Sequence, residues 1–331
     1  MDDAQPHRPT LLVIGGPTAV GKTDVGIELA LRRNGEIISA DSMQVYRRLL
    51  IGTARPTDEE CRGVPYHGVA LIEPHETFHL GAFIDLADRL IARIAARGRQ
   101  PLVVGGTGLY IKGLLQGVFD SPEVDAALRD RLLGRAAAEG PARLHAELGA
   151  VDPEAARQIS PNDPIRLTRA LEVWQQTGRP ISALWKESRA LRARYPYYLF
   201  VLSAGREALH ERIDRRIERM FLAGLPDEVR RLVDEGVAPE CHAFKALGYR
   251  HVLAWLDGEL SLREAMEILR TQTRQYAKRQ LTWFRGMRGA IWIDVTGRRI
   301  SDIADEIELH LATRPPATRT WHTPEAPEEE R

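Results

Sequence analysis

Five short runs of apolar residues are spread along the chain, and polar side chains scarcely interrupt them. Unbroken apolar runs are typical of parallel strands covered on both faces, because a strand with one face in water alternates apolar and polar residues. Stretches of helical periodicity separate the runs, which predicts an α/β fold with a parallel sheet. The predicted strands are Leu11–Gly15, Glu36–Ala40, Leu102–Val104, Tyr198–Leu202 and Ile291–Val295. The predicted core helices include Thr23–Arg33, Phe83–Arg97, Arg206–Gly236 and Ser261–Arg285.

The alternation of strands and helices stops between about Asp120 and Arg194, where only helical patterns such as Ala126–Glu139 and Ile165–Gln176 are found. Such a break predicts a helical domain inserted into the sheet-forming core. The predicted division is a core of residues 1–118 and 196–310, a helical insertion of residues 119–195 and a disordered tail of residues 311–331, whose end is rich in glutamate.

Composition excludes several classes of protein. The chain has 331 residues with 46 basic and 46 acidic side chains, so any nucleic-acid surface must be local rather than global. Cys61 and Cys241 are far apart in sequence, which argues against a disulfide framework and a zinc ribbon. Neither a secretion signal nor a membrane span is visible in the sequence, so we expect a cytoplasmic protein without membrane contacts.

The octapeptide GPTAVGKT follows the first predicted strand, opens a predicted helix and matches the pattern GxxxxGK[ST]. In that context glycines let successive backbone N–H groups converge on phosphate oxygens at a helix N-terminus. Lys22 would neutralise phosphate charge, and the Thr23 hydroxyl would ligate Mg²⁺. The sequence therefore predicts a polyphosphate site made of Gly16, Pro17, Thr18, Ala19, Val20, Gly21, Lys22 and Thr23.

Two further loops follow strands and should lie at the same edge of the sheet. Asp41, after the second strand, could ligate a metal through water, accept a proton or cap a following helix. The glycines around Thr107 suggest a backbone that approaches a ligand closely, or alternatively a tight turn between strand and helix.

A stretch near the C-terminus carries basic residues and no acidic ones. Aromatic residues lie among the charges, a combination that suits phosphates and unpaired bases. A solvated helix face and a set of arginines serving substrate phosphates are the alternatives. The basic residues are Arg270, Arg274, Lys278, Arg279, Arg285 and Arg288.

Taken together, these segments resemble one family closely, the tRNA dimethylallyltransferases, also called tRNA isopentenyltransferases. The motif DSMQVY with IGTA, followed by GGTGLY, is far more specific than the phosphate loop alone. The resemblance runs from about residue 10 to residue 296. The matching segments are residues 16–23, 41–57, 105–117, 162–173, 212–229, 245–250 and 278–285.

The resemblance implies a P-loop NTPase-like core and a transferase that moves a dimethylallyl group from dimethylallyl diphosphate to N6 of the adenosine at tRNA position 37. The phosphate loop would then hold the diphosphate of the donor rather than ATP. The insertion would grip the anticodon stem-loop, and the target base would be flipped into a channel. The resemblance further implies the short bacterial type, because no zinc finger follows Arg285, and we expect a monomer.

Residue roles also come from the resemblance. Asp41 would accept the N6 proton, and Thr107 would help to hold the reacting groups. Lys22, Mg²⁺ near Thr23 and an arginine would stabilise the leaving diphosphate; Arg212 is that arginine, with Arg206 as a second candidate. The implied tRNA contacts are Asp41, Ser42, Met43, Gln44, Thr107, Arg129, Ile165, Arg166, Leu167, Thr168, Arg169, Lys245, Tyr249, Arg250, Lys278, Arg279, Gln280, Trp283 and Arg285.

Three alternatives differ in their acceptor. A small-molecule P-loop kinase would use ATP but has little use for a large insertion. An adenylate prenyltransferase of the cytokinin type would modify free AMP or ATP. A nucleotide-dependent RNA-binding switch would need a hydrolytic acid other than Asp41, and no such acid is evident in the sequence.

Overall fold

The chain divides into two compact units. A computed structural model describes residues 8–117, 122, 125–189, 193–287 and 289–318. The core unit comprises Met1–Leu115 and Ala193–Arg331, and the insertion unit comprises Gln116–Arg192. Among the predicted features, Arg288 and residues 319–331 of the tail lie outside the described residues.

Six parallel strands form the sheet of the core unit, in the order β3-β2-β4-β1-β5-β6. The five predicted strands are confirmed, with ends that move by no more than two residues. The additional strand, β3, has only two residues and no apolar run that could reveal it. The strands are β1 Leu11–Gly15, β2 Gly35–Ser39, β3 Tyr66–His67, β4 Gln100–Val104, β5 Tyr197–Ser203 and β6 Ile291–Asp294.

Thirteen α-helices are assigned within the described residues: α1 Lys22–Arg32, α2 Leu80–Ala96, α3 Gly108–Gln116, α4 Ala126–Glu139, α5 Pro141–Val151, α6 Pro153–Gln158, α7 Pro164–Thr177, α8 Ile181–Arg189, α9 Arg206–Leu222, α10 Leu225–Asp234, α11 Tyr249–Leu256, α12 Leu262–Arg285 and α13 Ile300–Thr313. The helical prediction for Arg206–Gly236 is confirmed, and the structure divides the segment into two helices, α9 and α10. Gly224 adopts a left-handed φ of 94°, which ends α9, and Pro226 lies in the first turn of α10.

The sheet is covered on both faces, as its unbroken apolar strands predict. Leu12 and Ile14 of β1 pack with residues of α1, α9 and α13, whereas Leu11 and Val13 pack with residues of α2 and α3. Helix α12 contributes Leu269 to the first of these layers and Phe284 to the second. The helix therefore passes from one layer to the other, and the Phe284 ring contacts Gly15 at the carboxyl end of β1.

The second residue of β2 carries a buried carboxylate. Glu36 is almost fully buried and accepts hydrogen bonds from Arg97 (2.7 Å) and from His67 (2.7 Å), with Arg99 3.2 Å away. Burial alone would raise the pKa of Glu36, but the hydrogen bonds from its partners outweigh burial and hold the pKa below its ordinary 4.5.

A second carboxylate, Glu228 of α10, organises the turn of residues 49–53. It accepts hydrogen bonds from the backbone N–H of Ile51 (3.0 Å) and from the hydroxyl of Tyr249. The Tyr249 ring packs on Gly52, where an added Cβ would lie 2.3 Å from the ring. The turn, α10 and α11 thus share one apolar cluster.

The insertion unit consists of α4 to α8 around its own apolar cluster, which includes Leu144, Leu148 and Leu171. Two of its helices, α6 and α7, begin at an aspartate that caps a free backbone N–H and is followed by proline. Asp152 accepts a hydrogen bond from Ala155 N at 2.9 Å, and Pro153 opens α6; Asp163 and Pro164 open α7 in the same way.

The prediction of a disordered tail is wrong for its described part. Helix α13 continues to Thr313, and Ala317 forms a β-bridge with Tyr197 next to the sheet. Throughout the described ranges, we find no helix with the length and apolarity required to span a membrane.

Candidate active site

Three loops meet at the carboxyl edge of the sheet. They follow β1, β4 and β2, which are adjacent in the strand order, so the loop after β4 lies between the other two. The loop after β1 is the phosphate loop of residues 16–23, the loop after β4 is the glycine loop of residues 105–108, and the loop after β2 begins with Asp41.

The phosphate loop has the backbone that its glycines require. Gly16 and Gly21 have φ values of 142° and 97°, and Ala19 adopts a left-handed φ of 64° without being glycine. A Cβ on Gly16 would lie 2.6 Å from the carbonyl oxygen of Leu202. The Nζ of Lys22 donates to the carbonyl oxygen of Pro17 at 2.7 Å.

Helix α9 presents two arginines to this loop. Arg212 donates from Nη1 to the carbonyl oxygen of Val20 at 2.9 Å. Arg216, one turn later, is close enough to Lys22 that its charge, second to burial, lowers the pKa of Lys22 to about 7, while Asp41 opposes the shift. Sequence reasoning missed Arg216, although its spacing of four from Arg212 places both on one helix face.

Arg206, the other predicted diphosphate ligand, is not brought to the loop in this structure. It is the first residue of α9, it is exposed, and it makes no hydrogen bond or ion pair with any described residue. Arg206 is six positions before Arg212 in α9, so the two side chains leave the helix on different faces.

Asp41 closes a turn rather than capping a helix. Its Oδ1 accepts hydrogen bonds from the backbone N–H of Met43 (2.8 Å) and Gln44 (3.4 Å), whereas its Oδ2 makes no hydrogen bond with any described residue. The side chain of Gln44 is buried: it accepts a hydrogen bond from the Ser39 hydroxyl and donates to the carbonyl oxygen of Ala54.

Three phenols lie near the Asp41 carboxylate. Burial, and secondly the charge of Asp41, raises the pKa of Tyr110 to about 12 and raises the pKa values of Tyr66 and Tyr276 as well. The nearby hydroxyls of Ser39 and of Thr23, which belongs to the phosphate loop, act against the rise in the pKa of Tyr66. The carboxylate is thus surrounded by neutral aromatic groups and by the cations of the phosphate loop.

Glycine is required at Gly105 and Gly108 of the glycine loop, because other parts of the protein occupy the space that a Cβ would need. A Cβ on Gly105 would lie 2.2 Å from the carbonyl oxygen of Ala40, and one on Gly108 would lie 2.1 Å from Cδ1 of Trp283. The Thr107 hydroxyl accepts a hydrogen bond from Ser42 N at 3.2 Å. Thr107 therefore connects the glycine loop with the turn that Asp41 begins.

The predicted RNA contacts of the core unit fall into two groups. Tyr249 and Gln280 are buried, and Trp283 is partly buried against the glycine loop. Arg270 and Arg274 of the basic stretch pair with Glu218 and Asp214 of α9, which leaves them as structural residues. The exposed basic side chains are Lys245, Arg250, Lys278, Arg279 and Arg285.

A groove of about 550 Å³ lies between α11 and α12 in the core unit. Its lining consists of two arginines, one carboxylate, one apolar side chain and three polar side chains: Arg250, Arg279, Glu267, Ile268, Thr271, Gln272 and Gln275. Arg250 reaches across to the side-chain oxygen of Gln272. Exposed guanidinium groups beside amide and hydroxyl groups suit a phosphate-bearing ligand.

In the insertion unit, the predicted contacts are again divided. Ile165 and Arg166 are exposed at the start of α7, whereas Leu167 and Thr168 belong to its buried face. Glu172, with no exposed surface, pairs with Arg129 at 2.8 Å and with Arg169 at 3.1 Å. Arg129 thus ties α4 to α7, whereas the pair of Arg169 with Glu172 lies within α7.

A parallel sheet with a phosphate loop after β1 and cations around that loop define the class of P-loop α/β enzymes. Comparison with known proteins narrows the class. The chain matches the family described as IPP transferase over residues 44–287 and that described as isopentenyl transferase over residues 9–68. The chain belongs to the IPP transferase family and is a transferase.

Relatives and solved structures agree with this assignment. The tRNA dimethylallyltransferase of Desulforudis audaxviator is 47% identical over 287 residues, 87% of this chain and 92% of that one. The tRNA dimethylallyltransferase of Geobacillus kaustophilus is 46% identical over 91% of this chain and 95% of its own. The full-length tRNA isopentenylpyrophosphate transferase of Bacillus halodurans is 40% identical, with a TM-score of 0.69 over 92% of this chain and 95% of that one. A eukaryotic dimethylallyltransferase acting on tRNA is 28% identical, with a TM-score of 0.78 over 93% of this chain and 81% of that one.

Proposed function

We propose that this chain transfers a dimethylallyl group from dimethylallyl diphosphate to N6 of the adenosine at position 37 of tRNA, with release of diphosphate. The observation that carries the proposal is the meeting of a cationic phosphate loop with a carboxylate at one edge of the sheet. The loop suits a diphosphate leaving group, and the carboxylate suits a proton acceptor. Family membership supplies the prenyl group and the tRNA.

The leaving group is stabilised by the phosphate loop. When the bond between C1 of the prenyl group and the diphosphate oxygen breaks, its electron pair stays on diphosphate. Backbone N–H groups of the loop, Lys22, Arg212 and Arg216 surround the position of that developing charge. These donors belong to a rigid loop and a helix, so little reorganisation is needed during the reaction.

Magnesium is part of the proposal. In the described residues, no group of three or more His, Cys, Asp or Glu side chains could hold a metal alone. Mg²⁺ commonly binds through one or two side chains together with substrate phosphates, and the Thr23 hydroxyl in the phosphate loop fits that mode. Thr23 would hold the ion against the diphosphate, and the ion would supply further charge neutralisation there.

Asp41 is the proposed base. The lone pair of an exocyclic amine is delocalised into the purine, so N6 becomes nucleophilic as its proton leaves. As the bond between N6 and C1 forms, the N6 proton passes to the carboxylate. The turn that Oδ1 closes, together with the hydrogen bond that Ser42 N donates to the Thr107 hydroxyl, sets the direction of the carboxylate.

The acceptor is proposed to be the anticodon stem-loop of tRNA. In the core unit, the exposed side chains of Lys245, Arg250, Lys278, Arg279 and Arg285 supply phosphate contacts. In the insertion unit, exposed Arg166 is the corresponding candidate, and exposed Ile165 beside it offers an apolar contact to the RNA. The proposal includes a cytoplasmic, monomeric enzyme.

A transfer assay with labelled dimethylallyl diphosphate tests the proposal. The acceptors are unmodified tRNA, an anticodon stem-loop and free AMP, and the proteins are wild type, Asp41→Asn and the control Asp234→Asn at an exposed position. Asn keeps the acceptor for Met43 N but cannot take a proton, so we expect a loss of at least about 10²-fold with tRNA. Label on AMP alone would assign the cytokinin type of activity. ATP consumption without prenyl transfer would assign a kinase.

A further inference from the structure

The side chain of Gln280 connects the phosphate loop with the glycine loop. Its Oε1 accepts a hydrogen bond from the backbone N–H of Thr18 at 2.8 Å, and its Nε2 donates to the carbonyl oxygen of Gly106 at 2.9 Å. An N–H can only face the oxygen of the amide and a carbonyl can only face its nitrogen, so the two partners fix the orientation of the side chain. Gln280 is only 7% exposed.

The hydrogen bond to Thr18 lies next to Ala19, the residue of the phosphate loop that has a positive φ without being glycine. Ala19 has a left-handed φ of 64°, which is unfavourable for a residue with a Cβ. Such a conformation persists only where the surroundings determine it. Here Gln280 binds the N–H of Thr18 on one side of Ala19, and Arg212 binds the carbonyl oxygen of Val20 on the other.

We propose that Gln280 is a positioning residue for the donor diphosphate and does not contact RNA. Both polar ends of its side chain are used inside the protein, whereas Lys278 and Arg279, next to it on α12, are exposed. By fixing Thr18, Gln280 keeps the left-handed Ala19 and the following loop N–H groups in the conformation that receives a diphosphate. The inference rests on the proposed function for the nature of the donor, but its test needs only inorganic diphosphate.

The first experiment measures diphosphate binding and RNA binding separately. In Gln280→Met the buried side chain keeps its length and loses both hydrogen bonds. We expect the Kd for inorganic diphosphate, measured by calorimetry, to rise about tenfold, the factor that corresponds to about 1.4 kcal/mol. The Kd for an anticodon stem-loop, measured by fluorescence anisotropy, should stay within about twofold, because both polar ends of the Gln280 side chain are used inside the protein. The matched control Gln175→Met, at an exposed position of α7 in the insertion unit, should leave the diphosphate Kd unchanged.

The second experiment tests the role of Ala19. Glycine adopts left-handed backbone without strain, so Ala19→Gly added to Gln280→Met should recover most of the lost diphosphate affinity by restoring the population of the binding conformation. Ala70 also has a left-handed φ, 51°, but lies outside the phosphate loop. Ala70→Gly should therefore give no recovery.

A third variant covers the case in which Gln280→Met does not fold. Gln280→Glu keeps an acceptor for Thr18 N–H and loses the donor to Gly106. Hydrogen exchange at the Thr18 amide should remain as slow as in the wild type, and it should become faster in Gln280→Met where that variant folds.

The opposite results overturn the proposal. An unchanged diphosphate Kd together with a weakened stem-loop Kd would make Gln280 an RNA contact. Failure of Ala19→Gly to recover diphosphate binding, or fast exchange at Thr18 in Gln280→Glu, would remove the positioning role. None of these measurements requires prenyl transfer, so a wild type that transfers no label would refute the proposed function separately.

Discussion

Gly108 offers a sharp test of how α12 packs against the glycine loop. In Gly108→Ala the new Cβ would lie 2.1 Å from Cδ1, 2.5 Å from Nε1 and 2.8 Å from Cγ of Trp283. The indole ring is rigid, and relieving these contacts requires it to move by more than an ångström. The helix is held on either side of Trp283 by Gln280 and by Phe284, so the ring cannot move alone.

Overpacking of this kind costs about 1–3 kcal/mol, of which the higher helix propensity of alanine returns up to about 1 kcal/mol. We expect Gly108→Ala to lower the free energy of unfolding by about 1–2 kcal/mol. The midpoint of thermal unfolding should fall by about 2–4 °C for each kcal/mol. Circular dichroism during heating measures that midpoint, and calorimetric titration with inorganic diphosphate reports whether the glycine loop has moved.

The matched control is Gly134→Ala within α4, where no heavy atom lies within 4 Å of the added Cβ. The same chemical change should stabilise the protein there by about 0.5–1 kcal/mol. Opposite signs at the two glycines are the expected outcome. Equal effects would mean that Trp283 does not pack on Gly108 as described, and the reasoning would fail.

Three further predictions concern charged residues. Arg216→Met should weaken the binding of inorganic diphosphate about 10- to 100-fold, the effect of one charge-assisted hydrogen bond, whereas Arg206→Met should have little effect; calorimetry distinguishes the two. Glu36→Gln should be less stable than the wild type at pH 7, since the lowered pKa of Glu36 stabilises the fold above pH 4.5. The difference should shrink as the pH falls below 4.5, which urea unfolding at pH 7 and at acidic pH would show, and a constant difference would contradict it. Arg129→Met, which removes one partner of a fully buried glutamate, should destabilise the protein by about 1–3 kcal/mol, whereas Arg131→Met, at an exposed position beside it, should be close to neutral in the same urea experiment.

The sheet could be predicted from sequence because most of its strands are buried on both faces and are therefore apolar at most positions. The same reasoning could not find β3, since Tyr66 and His67 form a two-residue edge strand with no such signal. The end of α9 was a different case, because Gly224 and Pro226 are visible in the sequence and mark a helix end and a new helix start, a signal that was not used.

The candidate site was predictable where a motif fixes the backbone and unpredictable where tertiary packing decides. The phosphate loop and Asp41 belong to the first kind, since each directly follows a strand. Tyr249 and Gln280 belong to the second: their motifs do not show that one side chain supports the turn at Gly52 and that the other joins two loops. Periodicity on α9 was a usable signal for Arg216 that sequence reasoning did not exploit.

The insertion has a consequence for how the polypeptide reaches this fold during synthesis. β1 pairs with β5 in the register Leu11↔Tyr197, so the partner of one strand edge emerges from the ribosome 186 residues later. At about 5–20 residues per second, that edge waits about 10–40 s without its partner. An unpaired apolar strand edge is a template for aggregation during this interval. The apolar cluster of the insertion draws only on residues between Leu128 and Trp185, so the insertion can complete its own folding before the sheet is closed.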